Sequence, residues 1–245
     1  MKDAPASSIR LADAPTSWPR AAALSGIAFA VFVALAWFLN GAETPHYAAP
    51  DHDWITWAKN TEMKGRFATF FALLAGLVFL PYAARIRGVL GTAEGHGSGS
   101  TRLTQIAHAG GLIGVTSFTI ATVTFSGASA EGAQAHPDVS RAIATGDVGP
   151  FLVAPMGFAA LLGAGGLAAL RTGVLPRWTA LVALVGAVSF VVTFLTTLQG
   201  TADGSVFGYG FFPGVVALLT WSIATSIASY RVVRPPAESA ATPTH

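Results

Sequence analysis

Six long apolar stretches alternate with short polar connections along the chain. Each stretch has about 18 to 22 residues, which is long enough for an α-helix to cross the roughly 30 Å hydrocarbon layer of a membrane. The stretches are continuously apolar rather than apolar at every second position, so the pattern predicts helices and not the strands of a β-barrel. The predicted spans are residues 21–39, 67–84, 106–126, 151–170, 178–198 and 211–230.

This pattern predicts an all-α integral membrane bundle with three parts. Residues 1–20 form an N-terminal tail, residues 21–230 form the six-helix transmembrane domain, and residues 231–245 form a C-terminal tail. The first span is expected to be an uncleaved anchor, because its apolar core is longer than that of a signal peptide. The Gly/Ser-rich stretch 91–100 is expected to be a flexible linker.

Two of the polar connections have helical periodicity of their own. Trp54, Trp57 and Ala58 fall at helical spacing, which is typical of a short helix at the membrane surface with its indole rings at headgroup depth. Val139 and Ile143 show the same spacing in a later connection. We therefore expect two short surface helices on the same side of the membrane.

The basic residues are divided unequally between the two sides of the predicted bundle. Ten fall on the side of the termini: Lys2, Arg10, Arg20, Arg85, Arg87, Arg102, Arg171, Arg177, Arg231 and Arg234. Four fall on the other side: Lys59, Lys64, Arg66 and Arg141. Because short cytoplasmic connections carry an excess of Lys and Arg, both termini are predicted to be cytoplasmic. The expected location is the cell membrane, meaning a plasma or inner membrane.

The composition agrees with a membrane protein. Hydrophobic residues make up 52% of the chain and charged residues only 11%, which is too few to solvate a globular surface of this size. The chain has no cysteine, which excludes disulfides, thiolate metal ligands and cysteine nucleophiles. The formal net charge is +2 and the basic residues are not clustered on one surface, so no nucleic-acid partner is expected.

Small residues recur four positions apart in the third and fourth spans. This spacing lets helix backbones approach closely, either inside the bundle or against a second membrane protein or a second copy of the chain. Besides the lipid bilayer, these small-residue helix faces are the places where a partner is expected. The pairs are Gly110 with Gly114, Ala159 with Gly163, and Ala160 with Ala164.

Histidine and aspartate residues gather in the connections on the less basic side. These residue types bind zinc and other divalent ions, so a metal site at the outer rim is one interpretation. The alternative is that the histidines are solvated loop residues and that the aspartates stabilise the starts of surface helices. The candidate ligands are His46, Asp51, His52, His136 and Asp138.

Hydroxyl-bearing residues are frequent in the third and fifth spans. One interpretation is a polar pocket that opens between these two helices, and the other is that each hydroxyl bonds to its own helix backbone. The histidine near the start of the third span is either an interfacial residue or part of a proton relay. The candidate pocket residues are His108, Thr116, Thr119, Thr193, Thr196 and Gln199.

The stretch 169–188, ALRTGVLPRWTALVALVGAV, resembles a connection found in a known family. It is similar to the link between the fourth and fifth helices of uncharacterised six-helix bacterial membrane proteins of the domain-of-unknown-function 4386 type. The residues that carry the resemblance are Arg171, Gly173, Pro176, Arg177 and Trp178. The resemblance implies a six-helix topology over most of the chain and no established activity, so it transfers no catalytic residue.

Three functional classes remain open on the sequence. The favoured one is a non-enzymatic membrane component without a cofactor that binds a small molecule or a lipid, or that packs on a partner as an accessory protein. The second is a membrane enzyme that uses a divalent metal bound by the histidines and aspartates of the outer rim. The third is a small transporter or channel with a hydroxyl-lined path between the third and fifth spans.

Overall fold

The computed structural model describes residues 18–40, 45, 48–98, 101–146, 148–198 and 205–232. Within these ranges the chain folds into eight α-helices without a β-strand, as the sequence predicts. The helices are α1 (Trp18–Asn40), α2 (Asp51–Ser98), α3 (Arg102–Ala128), α4 (Glu131–Ala135), α5 (Pro137–Gly146), α6 (Val148–Thr172), α7 (Arg177–Leu198) and α8 (Ser205–Val232).

Six of the helices are long and apolar enough to cross a membrane, namely α1, α2, α3, α6, α7 and α8. Each of them contains one of the six apolar stretches. Large apolar side chains are exposed on all six, for example Phe38, Leu77, Ile113, Val153, Val188 and Phe212. An apolar surface of this extent is unfavourable in water and favourable in lipid, so the chain is a multi-pass membrane protein.

The six long helices form a closed ring. Each packs against the next long helix along the chain, in the order α1, α2, α3, α6, α7, α8, and α8 packs back against α1. Helix α2 also contacts α6 and α8 across the interior. The interior is filled by large buried side chains, among them Phe79, Tyr82, Phe158, Leu162 and Trp221.

Helices α3 and α6 approach each other closely because glycine lies at their crossing. A Cβ atom placed on Gly157 would lie 2.6 Å from the Cα atom of Gly114, and one placed on Gly110 would lie 2.6 Å from the Cβ atom of Ala160. No side chain fits at either distance. The predicted small-residue pair Gly110 and Gly114 is thus used for packing inside the chain.

Helix α2 is longer than the sequence pattern predicts. It runs without a break from Asp51 to Ser98, 48 residues, so the expected surface helix and the second span are one helix. Residues 91–98 are helical, and the prediction of a flexible linker there is wrong. The carboxylate of Glu94 accepts hydrogen bonds from the backbone nitrogens of Leu103 and Thr104, at 3.1 and 3.0 Å, and from the Thr104 hydroxyl at 2.7 Å. These bonds tie the end of α2 to the start of α3 and so offset the low helix propensity of the glycines.

The short helices α4 and α5 lie together against the start of α2 and the end of α3. We call this part of the bundle the α4–α5 end. Here Trp54 and Trp57 are buried, and Trp57 meets Phe125 at a ring-centroid distance of 5.4 Å. The prediction that both indoles are exposed on a surface helix is wrong, because the two tryptophans are buried in a small core of their own against α5. The second expected surface helix is present as α5.

Candidate functional site

A stripe of hydroxyl side chains is buried along one face of α8. Its members are Ser222, Thr225, Ser226 and Ser229, and none is more than 2% exposed. We call these four residues the hydroxyl stripe. They occur at spacings of three and four residues, which places them on one side of a helix. This stripe is not among the predicted pocket residues, although the segment WSIATSIAS shows its spacing of three and four residues.

Tyr82 of α2 connects the stripe to the centre of the bundle. Its hydroxyl forms a 2.8 Å hydrogen bond with the Thr225 hydroxyl, which in turn donates to the Trp221 carbonyl at 2.8 Å. The Tyr82 ring stacks on Phe29 of α1 and meets the Trp221 ring edge-on. Tyr82 is therefore held in one orientation by aromatic contacts and by a hydrogen bond at its polar tip.

Helix α1 covers the stripe because residue 26 has no side chain. A Cβ atom placed on Gly26 would lie 2.5 Å from two ring carbons of Tyr82 and would also overlap the Ser226 hydroxyl. The neighbouring Ser25 is buried and donates its own hydroxyl to the Ala22 carbonyl at 2.7 Å. The stripe is thus enclosed by the close approach of α1 to α2 and α8.

Some polar atoms of the stripe and of the adjacent Trp221 have no hydrogen-bond partner among the described residues. These are the hydroxyls of Ser226 and Ser229 and the indole nitrogen of Trp221, all of them buried. A buried polar atom without a partner costs about 1–3 kcal/mol, so such atoms are rare in folded proteins. Because the three lie close together in sequence on α8, they could form hydrogen bonds to one polar molecule inside the bundle.

Arg85 brings a positive charge to one end of the stripe. Its Nη2 atom donates to the Ser229 carbonyl over 3.4 Å, and its Nε atom is buried without a partner in the described part of the chain. Arg85 lies one helical turn from Tyr82 on α2. The buried face of α8 and the neighbouring Arg85 therefore present hydroxyls, an indole N–H and a guanidinium.

His108 lies beside a small internal cavity rather than a pocket between the third and fifth spans. The cavity has a volume of about 10 Å³, and its walls include Tyr82, Thr104 and His108. That volume is close to the space one water molecule needs. The Nδ1 atom of His108 is buried and has no hydrogen-bond partner among the described residues.

The threonines predicted to share a pocket are not brought together. Helix α6 packs between α3 and α7, and the Thr119 and Thr193 hydroxyls donate to their own backbones, to the Val115 and Ser189 carbonyls at 2.9 Å. Thr116 is exposed on the apolar outside of α3. The Thr196 side chain and Gln199 lie outside the described residues.

At the α4–α5 end, Arg141 of α5 brings two of the predicted metal ligands together. Its guanidinium donates to Asp51 at 2.6 Å, to Asp138 at 2.8 Å and to the Ala49 carbonyl at 2.8 Å. It also lies 5.9 Å from the ring centroid of Trp54. Hydrogen bonding to Asp51 raises the pKa of Arg141, so the guanidinium stays charged. Both carboxylates are thus used as partners of one arginine.

The predicted histidine ligands are placed separately. The Nε2 atom of His52 lies 3.0 Å from a carboxylate oxygen of Asp53, and both side chains are exposed. His136 is exposed, and its carbonyl accepts the Val139 N–H at the start of α5. His46 lies outside the described residues. In the part of the chain that is described, no three His, Asp or Glu residues are grouped to hold a metal ion.

Comparison of the chain with protein-family models, with curated proteins and with solved structures finds no match. The resemblance to uncharacterised six-helix membrane proteins therefore stays a prediction. The functional conclusion rests on the geometry of this chain alone.

Proposed function

We propose that the protein is a non-enzymatic membrane protein that binds a small hydrogen-bonding solute along the hydroxyl stripe. One observation carries the proposal, namely that the hydroxyls of Ser226 and Ser229 are buried and have no hydrogen-bond partner in the described part of the chain, inside a bundle whose outside is apolar. Polar side chains in the interior of a membrane protein are costly, and they typically mark a path or a binding site for a polar molecule.

The chemistry of the stripe favours a neutral or anionic solute over a cation. The Trp221 indole and the Arg85 guanidinium can only donate hydrogen bonds, and the serine hydroxyls can donate or accept. None of the side chains that form or adjoin the stripe, as described above, is a carboxylate. A solute that offers hydrogen-bond acceptors would satisfy the donors that have no partner among the described residues.

We also propose that both termini are cytoplasmic and that the protein lies in the plasma or inner membrane. The support is the excess of basic residues on the side of the termini, which follows the positive-inside rule. With this orientation Arg85, Arg171 and Arg177 lie toward the cytoplasm, and the α4–α5 end faces outward. The stripe would then be reached from the cytoplasmic side, where Arg85 lies.

Single cysteines test the proposal cleanly, because the chain has none of its own. Ser226→Cys introduces a thiol of nearly the same size into the stripe. Ile223→Cys is the matched control, since residue 223 lies one turn away on the exposed, apolar side of the same helix. In proteoliposomes, we expect a small charged methanethiosulfonate reagent to modify residue 226 and to leave residue 223 unmodified, because a thiol in lipid meets no aqueous reagent and stays protonated.

The side from which the reagent acts separates binding from transport. Modification of residue 226 from the cytoplasmic side alone indicates a binding site, whereas modification from both sides indicates a transporter or channel, the second candidate function. The stripe covers about two helical turns, roughly 10 Å of the roughly 30 Å hydrocarbon layer, so binding is the favoured outcome. If residue 226 is as unreactive as residue 223 while the variant melts like the parent, solutes do not reach the stripe and the proposal is wrong.

A further inference from the structure

A groove lies between α7 and α8 on the outside of the bundle, on the opposite face of α8 from the hydroxyl stripe. Its volume is about 420 Å³, which falls in the range of roughly 300–1,000 Å³ typical of ligand sites. Helix α7 contributes its first turn, and α8 contributes a face with a spacing of three and four residues. The residues that shape it include Trp178, Thr179, Ile223, Ala224, Ile227 and Ala228.

We propose that this groove binds one anionic phospholipid, with an acyl chain along α8 and the phosphate at Arg177. The site is independent of the hydroxyl stripe and of any solute bound there.

The shape of the groove fits an acyl chain. Its walls extend along α8 from Thr220 to Ala228, a distance of about 12 Å along the helix axis. The hydrocarbon of one membrane leaflet is about 15 Å deep. Ala224 and Ala228 are small, while Ile223, Ile227 and Trp178 are exposed beside them, so a chain lying over the alanines is flanked by larger side chains.

The charge at the end of the groove fits an anionic headgroup. Arg177 is exposed and lies in the chain between Pro176 and Trp178, two residues that line the groove. Trp178 is 53% exposed at the start of α7, and Tyr230 is exposed near the end of α8, as expected of aromatic side chains at headgroup depth. An arginine at this depth binds the phosphate of a lipid by charge-assisted hydrogen bonds.

Native mass spectrometry of the full chain in detergent tests the proposal. The protein is titrated with phosphatidylglycerol and with phosphatidylcholine of identical acyl chains. We expect one retained lipid per chain and a preference of about fivefold for phosphatidylglycerol, the ratio that one arginine near an anionic headgroup provides. Arg177→Gln should remove the preference but keep the lipid, and Arg177→Lys should restore part of the preference.

Filling the groove tests the acyl-chain contact separately. Ala224→Leu combined with Ala228→Leu should abolish retention of both lipids, whereas Ala109→Leu, at an exposed position of α3, should not. Arg171→Gln is the control for charge, because Arg171 is also exposed but, unlike Arg177, is not adjacent in the chain to residues that line the groove. Each variant is compared with the parent by thermal melting, so that loss of the fold is recognised.

Three results would overturn the proposal. If the variant with the filled groove still retains lipid, the lipid binds elsewhere on the bundle. If Arg177→Gln keeps the preference for phosphatidylglycerol, this arginine does not bind the headgroup. A dimer in the parent that the groove-filling variant loses shows that the occupant is a second copy of the chain.

Discussion

Gly157 of α6 lies so close to Gly114 of α3 that a methyl group on residue 157 would come within 2.6 Å of the Gly114 Cα atom. The two backbones touch without a side chain between them. In lipid, helices associate through packing of this kind, because lipid tails offer no hydrophobic driving force for the contact. This pair therefore fixes the distance between α3 and α6.

Replacing Gly157 by alanine should destabilise the bundle. The added methyl group must push α3 and α6 apart, and overpacking of this kind costs about 1–3 kcal/mol. The expected result is a lower melting temperature in detergent. Gly127→Ala on α3 is the control, because no atom lies within 4 Å of a Cβ placed there. Equal melting of the two variants would contradict the close approach.

The Glu94 carboxylate should be needed for an ordered start of α3. Glu94→Ala removes the acceptor for the backbone nitrogens of Leu103 and Thr104, and loss of a helix cap costs about 0.5–2 kcal/mol. We expect faster hydrogen exchange at the first amides of α3 and a lower melting temperature. Glu94→Gln keeps a carbonyl acceptor and should lose less. Glu131→Ala, at an exposed position of α4, should leave both measurements unchanged.

Arg141 should hold α5 on the bundle. Arg141→Met keeps much of the side-chain bulk but removes the bonds to Asp51, Asp138 and the Ala49 carbonyl, so amides of α5 should exchange severalfold faster. Arg66→Met is the control, since Arg66 is exposed and pairs with Glu62 within α2. Unchanged exchange in α5 of the Arg141 variant would show that the tryptophan core suffices.

The contribution of Arg141 should not depend on pH in the neutral and mildly basic range. The raised pKa means that stabilisation by the charged guanidinium is present below the pKa of the unfolded chain and is lost only when the pH rises through the higher folded value. Between about pH 6 and 9 the arginine stays charged in both states. Hydrogen exchange in α5, corrected for its intrinsic pH dependence, should therefore show constant protection. A loss of protection toward pH 9 would point to another group.

The hydrogen bond between Tyr82 and Thr225 should make a modest contribution to stability. Tyr82→Phe keeps the ring contacts, and Thr225 keeps its bond to the Trp221 carbonyl, so we expect a loss of about 0.5–1.5 kcal/mol in the free energy of unfolding. The control is Tyr230→Phe, at an exposed position of α8. If Tyr82→Phe unfolds like the parent, the hydrogen bond between Tyr82 and Thr225 makes no net contribution to stability.

The purified protein should contain no stoichiometric divalent metal. Asp51 and Asp138 are already partners of Arg141, and a metal would have to displace that guanidinium. Elemental analysis of the tag-free protein, with a His46/His52/His136 triple alanine variant beside it, measures this directly. A chelator should leave the melting temperature unchanged, because a bound metal would stabilise the fold by mass action. One metal per chain in the parent, lost in the variant, would restore the outer-rim enzyme as the leading hypothesis.

The number and approximate positions of the apolar helices could be predicted from the sequence, because burial in lipid demands long apolar runs. The continuity of α2 could not. Its polar ends are stabilised by contacts distant in sequence, such as those of Trp57 with Phe125 and of Glu94 with Thr104, and hydropathy does not register such contacts.

The candidate site, too, could be predicted only in part from the sequence. Asp51 and Asp138 were both predicted as ligands of one site. The residue that bonds to both, Arg141, entered the prediction only as one of the basic residues on that side. The hydroxyl stripe was not predicted, because the pocket was placed in the third and fifth spans, which have many threonines. Regular spacing, as in Ser222, Thr225, Ser226 and Ser229, is a better indicator of a buried polar face than the number of hydroxyls.

The unbroken course of α2 has a mechanical consequence. At a rise of about 1.5 Å per residue, its 48 residues measure about 72 Å, more than twice the hydrocarbon thickness. One rod therefore reaches from Asp51, beside Arg141, to Glu94, beside the start of α3, with Pro81 inside it. Because each end is bonded to a neighbouring element, α2 cannot shift along its axis without breaking contacts at the α4–α5 end and at the start of α3 together.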